Sequence, residues 1–371
     1  MKEGISSRQA ILLITICRIV SVLTIMSPIY MGPANQDIWI VVLTSFIYTI
    51  LTTIPILFLS NKFNNLTIIQ YMEKIFGKFV GKFVTITYTI FYMRIAILFF
   101  YISIQMIRSS FMPDTKPIIT TVVLMISCVY IASKGIDVIA RFAEMFVPII
   151  LIMISIFIVL GYNNVDLSVL LPIYKDSTFL NINYGAIQLT FTFIDINILA
   201  MITPKLESKK EINSIFIKSV LYSLVFVLAS VVATQGSLGV EQARHSNFPF
   251  LAYIRRIKAY SIFERIESIY IIMWILAMII KITTYIYISN QGVKEIFKKK
   301  SGNMFLYIMG AIVALATFYI AEINPIIPEI MEIKSPEYVY YFAHKTLIPL
   351  IAVIVYLFRK KTFENQQKLG N

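Results

Sequence analysis

The sequence predicts an all-α integral membrane protein of ten transmembrane helices, built as a five-plus-five inverted repeat in which helices one and six are broken. Three observations predict this class: the composition, the number of long apolar runs and the places of two amphipathic segments. Of the 371 residues, 58% are hydrophobic and 14% are charged, and the mean hydropathy is +0.78. These values exclude a soluble globular domain, because globular chains are far less apolar.

Apolar runs of the length that crosses a bilayer, about 17–25 residues, occur ten times. They are predicted at 9–30, 38–59, 83–107, 117–133, 142–162, 183–203, 215–236, 266–290, 304–320 and 345–358. We expect a single transmembrane domain over 1–371, with an N-terminal segment at 1–8, the bundle at 9–358 and a tail at 359–371. The first run leads into SPIYMGPAN and not into a small-residue cleavage site, so we expect it to remain as the first helix.

The basic residues predict the orientation. Of the 33 Lys and Arg residues, 20 fall in segments on the N-terminal side of the predicted spans and 10 on the other side. The outer 10 include Lys345, which stands at the start of the tenth run beside His344, a residue assigned to an outer loop. Because basic residues concentrate on the cytoplasmic side, both termini are predicted to be cytoplasmic.

Two amphipathic segments predict the inverted repeat. Residues 66–79, LTIIQYMEKIFGKF, follow span two, and residues 248–262, FPFLAYIRRIKAYSI, follow span seven. Both have apolar residues at helical spacing, as interfacial helices do. They lie five spans apart and on opposite sides of the membrane, which is what an inverted repeat of five helices produces. The alternative is that they are two unrelated interfacial helices.

Four ionisable residues lie inside the predicted spans: Arg18, Arg94, Asp195 and Lys281, in spans one, three, six and eight. A charge at the centre of a membrane helix costs about 2.5–3.5 kcal/mol, so these side chains should face protein, water or a ligand. In a five-plus-five repeat, spans one and six are the broken helices, and spans three and eight pack against them. We therefore expect Asp195 to serve the response to a ligand and not only folding.

Each of these residues also has a structural interpretation. Arg18 lies near the polar start of its helix and can extend its side chain to the cytoplasmic face. Lys281 can pair with Asp195 in an ion pair that only holds the bundle together. Arg94 can reach a membrane interface or a neighbouring backbone carbonyl.

We predict a ligand-binding site and no catalytic or metal site. The predicted ligand-binding residues are Ser21, Thr24, Arg94, Phe193, Asp195 and Lys281. The two hydroxyls in span one suit a locally unwound helix, although such hydroxyls often bond only to their own backbone. Hydrolase, zinc-protease and nucleotide-binding motifs are absent from the sequence, so we expect neither an enzyme nor a cofactor. Nucleic-acid binding is disfavoured because the basic residues form no compact domain.

A series of short stretches resembles one known family. They are ISSRQ at Ile5, DIW at Asp37, LTIIQYMEKIFGK at Leu66, KGIDVIARFAEMFVP at Lys134, NNVDLSVLLPIYKD at Asn163, FTFIDINILAMITPKL at Phe191 and FERIESIYIIMWILAMIIKIT at Phe263. In this order they resemble the B subunits of spore germinant receptors. These form the endospore germination permease family, within the amino acid, polyamine and organocation transporter superfamily.

The resemblance implies a fold of the LeuT/APC type and a role in sensing a small nutrient, such as an amino acid. It also implies a place in the inner membrane of the spore, beside an A subunit and a lipoprotein C subunit. The chain departs from the family in span one, where it has Val20 and Ser21 in place of the usual glycine, and in span six, where it has Ile194 and Asp195 in place of the frequent Gly-Glu. These bulkier residues predict stiffer broken helices. A secondary transporter of amino acids or organic cations, and a scaffold that has lost ligand binding, are the alternatives.

Overall fold

The computed structural model describes residues 4–24, 26–257, 266–299, 302–323 and 336–360. The α-helices in this part of the chain are α1 (Ser7–Thr24), α2 (Met26–Met31), α3 (Ile38–Lys62), α4 (Ile68–Phe76), α5 (Lys78–Ser110), α6 (Pro117–Ser133), α7 (Ile136–Leu160), α8 (Phe179–Thr192), α9 (Ile196–Ile202), α10 (Ile212–His245), α11 (Pro249–Arg255), α12 (Ile266–Ile296), α13 (Met304–Ile323), α14 (Pro336–Phe342) and α15 (Ile348–Phe358). Within the described residues, β structure is limited to one isolated bridge between Ile5 and Leu206. The all-α class predicted from the sequence is confirmed.

Every predicted span falls on a helix. Nine helical stretches of the described chain are long and apolar enough to cross a membrane. The span predicted at 117–133 corresponds to α6, a shorter apolar helix of 17 residues. At a rise of about 1.5 Å per residue, α6 still covers most of the hydrocarbon thickness of a bilayer.

The tenth span begins earlier than predicted. α14 continues through a π-helical turn, Ala343–Leu347, into α15, so the apolar stretch is Tyr338–Phe358. The assignment of His344 and Lys345 to the outer side is therefore wrong: both are buried within this helix. Two adjacent basic residues lower the local hydropathy and made the span look shorter, although neighbouring helices shield both from lipid. The correction leaves 9 basic residues on the outer side, which strengthens the predicted asymmetry.

Burial divides the spans into an inner and an outer group. The inner group comprises spans one, three, six and eight, in which 78%, 67%, 83% and 72% of the most apolar window is buried. In the other long spans the buried share is 28–44%. The exposed side chains of the outer group are large and apolar, as lipid-facing surfaces require. The four spans predicted from the sequence to contain ionisable residues are thus the inner group of the bundle.

The sixth span is interrupted, as predicted. α8 ends at Thr192, and α9 begins at Ile196. Phe193 leaves the helical conformation, with ψ of 64°. The amides of Phe193 and Ile194 donate only to nearby carbonyls, Phe193 N to Thr190 O and Ile194 N to Thr192 O. The interruption forms without any glycine, so the expected stiffness does not prevent it. In span one, the junction of α1 and α2 is residue 25, which lies outside the described residues.

The segment predicted at 66–79 contains the predicted amphipathic helix, α4, but the helix ends at Phe76, and residues 78 and 79 belong to α5. α4 starts with a capping box, in which the Thr67 hydroxyl accepts from Gln70 N and the Gln70 side chain accepts from Thr67 N. One face of α4 buries Ile68, Ile69, Tyr71, Met72 and Ile75. Its counterpart, predicted at 248–262, is α11 in its first part, and residues 258–262 lie outside the described chain.

The predicted orientation can be checked by cysteine labelling. Arg255 on α11 and Lys74 on α4 are both exposed, and the native Cys17 and Cys128 are buried, so background labelling should be low. A membrane-impermeant maleimide applied from outside should label Arg255→Cys and miss Lys74→Cys. Permeabilised membranes should show labelling of both. Reaction of Lys74→Cys in intact membranes would contradict cytoplasmic termini.

Candidate functional site

The spacing of residues on α12 places a lysine and a tyrosine on one face. Lys281 and Tyr285 are four residues apart, so their side chains lie one above the other. The Lys281 ammonium donates to Cys17 O at 2.8 Å, to Ser21 Oγ at 2.5 Å and to Asp195 Oδ1 at 3.0 Å. It also lies 4.2 Å from the centre of the Phe99 ring on α5. One side chain of span eight thereby contacts spans one, three and six.

The matching face of α1 carries the two predicted hydroxyls. Ser21 Oγ donates to Cys17 O at 2.8 Å, and Thr24 Oγ1 donates to Val20 O, each four residues back along the helix. These are the backbone bonds that the alternative interpretation expected. Each hydroxyl also accepts a bond from α12: Ser21 from the lysine ammonium, and Thr24 from Trp274 Nε1 at 2.9 Å. The hydroxyls therefore join α1 to α12.

Asp195 forms an ion pair with Lys281 at the interruption of helix six. Both side chains are 0% exposed, and the Tyr285 hydroxyl donates to the same carboxylate oxygen, Oδ1, at 3.0 Å. The pairing that the sequence offered as a structural alternative is thus present. The other oxygen, Oδ2, is buried and has no hydrogen-bond partner among the described residues. The carboxylate therefore keeps one acceptor for a further donor.

Arg18 belongs to the same cluster, and the alternative interpretation, in which its side chain reaches the cytoplasmic face, is wrong. Its side chain is 0% exposed. Nη1 donates to Ser223 Oγ on α10 at 3.0 Å, and the guanidinium carbon lies 5.7 Å from the centre of the Phe193 ring. Span one packs against α7, α10 and α12, and this packing keeps the arginine away from the aqueous surface.

Lys345 is a further member that the sequence interpretation missed. Its ammonium donates to Thr190 O, a carbonyl near the end of α8, and lies 5.7 Å from the centre of the Phe191 ring. The side chain is 0% exposed. The signal that points to it is the length of the tenth apolar stretch, since a window of 21 residues from Tyr338 places this lysine well inside the span.

The other two predicted residues lie in different surroundings. Phe193 is buried at the interruption, with its ring centre 4.9 Å from that of Phe46. Arg94 is exposed on α5, and its guanidinium lies 5.1 Å from the centre of the Tyr340 ring. The structure therefore brings together Ser21, Thr24, Phe193, Asp195 and Lys281, but not Arg94.

A cavity of 880 Å³ lies elsewhere, where α4 meets the ends of α5 and α12. Its charged lining residues are Glu73, Lys74, Lys78, Lys294, Glu295, Lys298 and Lys299. These side chains are at helix ends, where lysines extend into the polar zone of a membrane protein. Among the residues that the structure describes, no group of three or more His, Cys, Asp or Glu side chains is placed to hold a metal ion.

Two solved structures share this fold along nearly the whole chain. MhsT, in complex with L-phenylalanine, matches with a TM-score of 0.68 and 15% identity, over 96% of this chain and 90% of its own. A Na⁺-coupled sialic acid symporter in a substrate-bound outward-open state matches with a TM-score of 0.63 and 12% identity, over 95% of this chain and 90% of its own. The fold is that of a multi-pass membrane protein with a LeuT-like helical bundle.

Comparison of the sequence with known families then identifies the family of this chain. The profile of a family described as "Spore germination protein" matches residues 4–326, and the chain belongs to this family. Spore germination protein KB of Bacillus subtilis (strain 168) is 24% identical over 370 residues, which cover 99% of this chain and 98% of that protein. Spore germination protein YndE of the same organism is 22% identical over 297 residues, 80% of this chain and 81% of its own. The resemblance seen in the sequence is confirmed.

Proposed function

We propose that this chain is the nutrient-sensing membrane subunit of a spore germinant receptor. A small nutrient, such as an amino acid, binds at the interruption of helix six and changes how the chain contacts an A subunit and a lipoprotein C subunit. The receptor resides in the inner membrane of the spore, with both termini of this chain in the cytoplasm. The observation that carries the proposal is the buried polar cluster around Asp195 and Lys281, in a chain of the spore germination family.

The contacts of Lys281 suggest how binding becomes a signal. Its ammonium joins α1, α9 and α12 through Ser21 and Asp195, so a ligand that competes for these partners changes the packing of three inner spans. A ligand shifts a conformational equilibrium only by its differential affinity for the two states. Moving an equilibrium from 1:99 to 99:1 takes about 5.5 kcal/mol, which is within the range of a few charge-assisted hydrogen bonds.

A secondary transporter is the second candidate, because one of the two solved structures described above is named as a Na⁺-coupled symporter. A transporter must pass repeatedly between two states of similar free energy, so its polar contacts have to open in each cycle. A sensor needs only one such change. The ammonium of Lys281 has three hydrogen-bond partners on two other elements, which favours the sensor.

Reconstitution in lipid vesicles tests the proposal. With radiolabelled amino acids, we expect saturable binding by the protein but little accumulation inside the vesicles under a sodium or proton gradient. An A-type subunit should co-purify when the chain is isolated from spore membranes. Protein-free vesicles give the background for both measurements. Strong gradient-driven accumulation by the isolated chain, with no retained partner, would instead establish the transporter.

A further inference from the structure

The interruption of helix six is surrounded by more positive than negative charge. In the part of the chain that the structure describes, the basic and carboxylate side chains that meet there are Arg18, Asp195, Lys281 and Lys345, and all four are 0% exposed. Arg18 and Lys281 alone outnumber the single carboxylate. The carboxylate of Asp195 pairs with Lys281. Arg18 and Lys345 lie close enough to interact electrostatically with the same carboxylate, but neither forms a salt bridge with a described residue.

Arg18 offers a well-defined binding group. A guanidinium stays protonated in proteins, so its charge persists even when it is buried. Nη1 is bonded to Ser223, whereas Nε and Nη2 are buried and have no partner among the described residues. These two nitrogens lie on one edge of the guanidinium plane. Two parallel N–H groups on such an edge match the two oxygens of a carboxylate.

We propose that the ligand of this site carries a carboxylate, and that the Nε and Nη2 edge of Arg18 binds it. Lys345, held at Thr190 O, lies beside this site as a further hydrogen-bond donor. Asp195 Oδ2, which also has no partner among the described residues, accepts a bond from a hydroxyl or ammonium on the same ligand. The proposal rests on the proposed function and specifies its ligand class: small carboxylic acids with a hydrogen-bond donor, such as 2-amino and 2-hydroxy acids.

Other ligand classes fit these groups less well. An uncharged sugar brings no charge to offset the excess of cations, and buried charges are favourable only when they are paired and hydrogen-bonded. A phosphate dianion brings a second negative charge next to Asp195. A ligand with an amine and no carboxylate adds a cation beside the guanidinium of Arg18. Only the carboxylate offsets positive charge and leaves Asp195 Oδ2 for a donor.

Thermal unfolding of the purified protein, together with the partners it retains, tests the ligand class. The probes are a panel of L-amino acids, the matching amino acid amides and the matching 2-hydroxy acids. A ligand that binds only the folded state raises the melting temperature in proportion to the logarithm of its occupancy. We expect at least one amino acid or hydroxy acid to raise it, and the amide of the same compound to have no effect.

Substitution of Arg18 tests whether this side chain binds the carboxylate of the ligand. Arg18→Met should weaken binding of the stabilising acid about 10- to 100-fold, as expected for losing hydrogen bonds to a charged group, and Arg18→Lys should weaken it less. Without ligand, Arg18→Met should melt at the same or a higher temperature, because an apolar side chain replaces a buried and incompletely paired charge. Arg8→Met, at an exposed arginine on the same helix, is the matched control and should leave both quantities unchanged.

The outcomes separate this inference from the function on which it rests. If amides stabilise the protein as well as acids do, or if Arg18→Met keeps its ligand-induced shift, the protein binds ligands but the carboxylate inference is wrong. A lower melting temperature of Arg18→Met without ligand, with the shift retained, would show that Arg18 serves only the fold. If no probe in any of the three sets raises the melting temperature, both the inference and the proposed function fail.

Discussion

Asp195→Asn is expected to lower the free energy of unfolding by about 3–5 kcal/mol, because it leaves the buried ammonium of Lys281 without its carboxylate. The amount of protein in the membrane should fall accordingly. The neutral amide keeps the size of the side chain, so the loss reports the charge and not a cavity. Melting temperature and abundance in the same preparation give the measurement.

The double variant Asp195→Asn/Lys281→Met separates folding from function. Methionine removes the unpaired charge and keeps an apolar stem beside Phe99, so most of the lost stability should return, as when a buried ion pair is replaced by apolar groups. Germination in response to nutrients should not return with it. A double variant that germinates normally would show that the pair only holds the bundle together. Wild-type abundance of the single variant would contradict the expected energy of the pair.

Gly81→Ala is expected to destabilise the contact between α4 and α5 by about 1–3 kcal/mol, the cost of overpacking a tight site. A Cβ at this position would lie 2.4 Å from Cα of Glu73 and 3.0 Å from its carbonyl oxygen. Both are backbone atoms, so the contact can be relieved only by moving one helix. The melting temperature of the purified protein should therefore fall.

Gly185→Ala is the matched control for this substitution. There a Cβ would meet only the side chain of Val41, at 3.2 Å, and alanine improves helix propensity by about 1 kcal/mol. We expect little change or a small gain in melting temperature. Equal stability of the two alanine variants would mean that α4 is not held closely against α5.

The sequence predicts the fold well because the bilayer imposes strong rules on it. Long apolar runs, the basic-residue asymmetry and the paired amphipathic segments each follow from the cost of polar groups in hydrocarbon. The rule that a charge inside a span must face protein also identified spans one, three, six and eight, which form the inner group. The same cost suggests that Lys281 can pair with Asp195, as in the structural interpretation, and the structure contains this ion pair.

The parts of the site that the sequence did not predict depend on tertiary packing. Arg18 lies near a polar helix end, which is compatible with both an exposed and a buried side chain, and only the position of Ser223 on α10 decides between them. Hydropathy places Lys345 at the outer end of its span because it treats every lysine as if it were in water. The rule that a charge inside a span faces protein selects Arg94 as well as Asp195, yet the rotation of α5 leaves the Arg94 side chain exposed. Helix rotation is not encoded in span length.

The break in the sixth span has a consequence for chimeric receptors. No glycine marks residues 193–195; instead Lys345 binds the carbonyl of Thr190 just before the break, and Lys281 binds the carboxylate of Asp195, each from another span. The place of the break is thus determined by distant parts of the chain. Transplanting this segment alone into a relative would transfer its residues but not the helix interruption. Moving it together with spans eight and ten would transfer both. Exchange of ligand preference between relatives should therefore be designed around sets of spans and not around single ones.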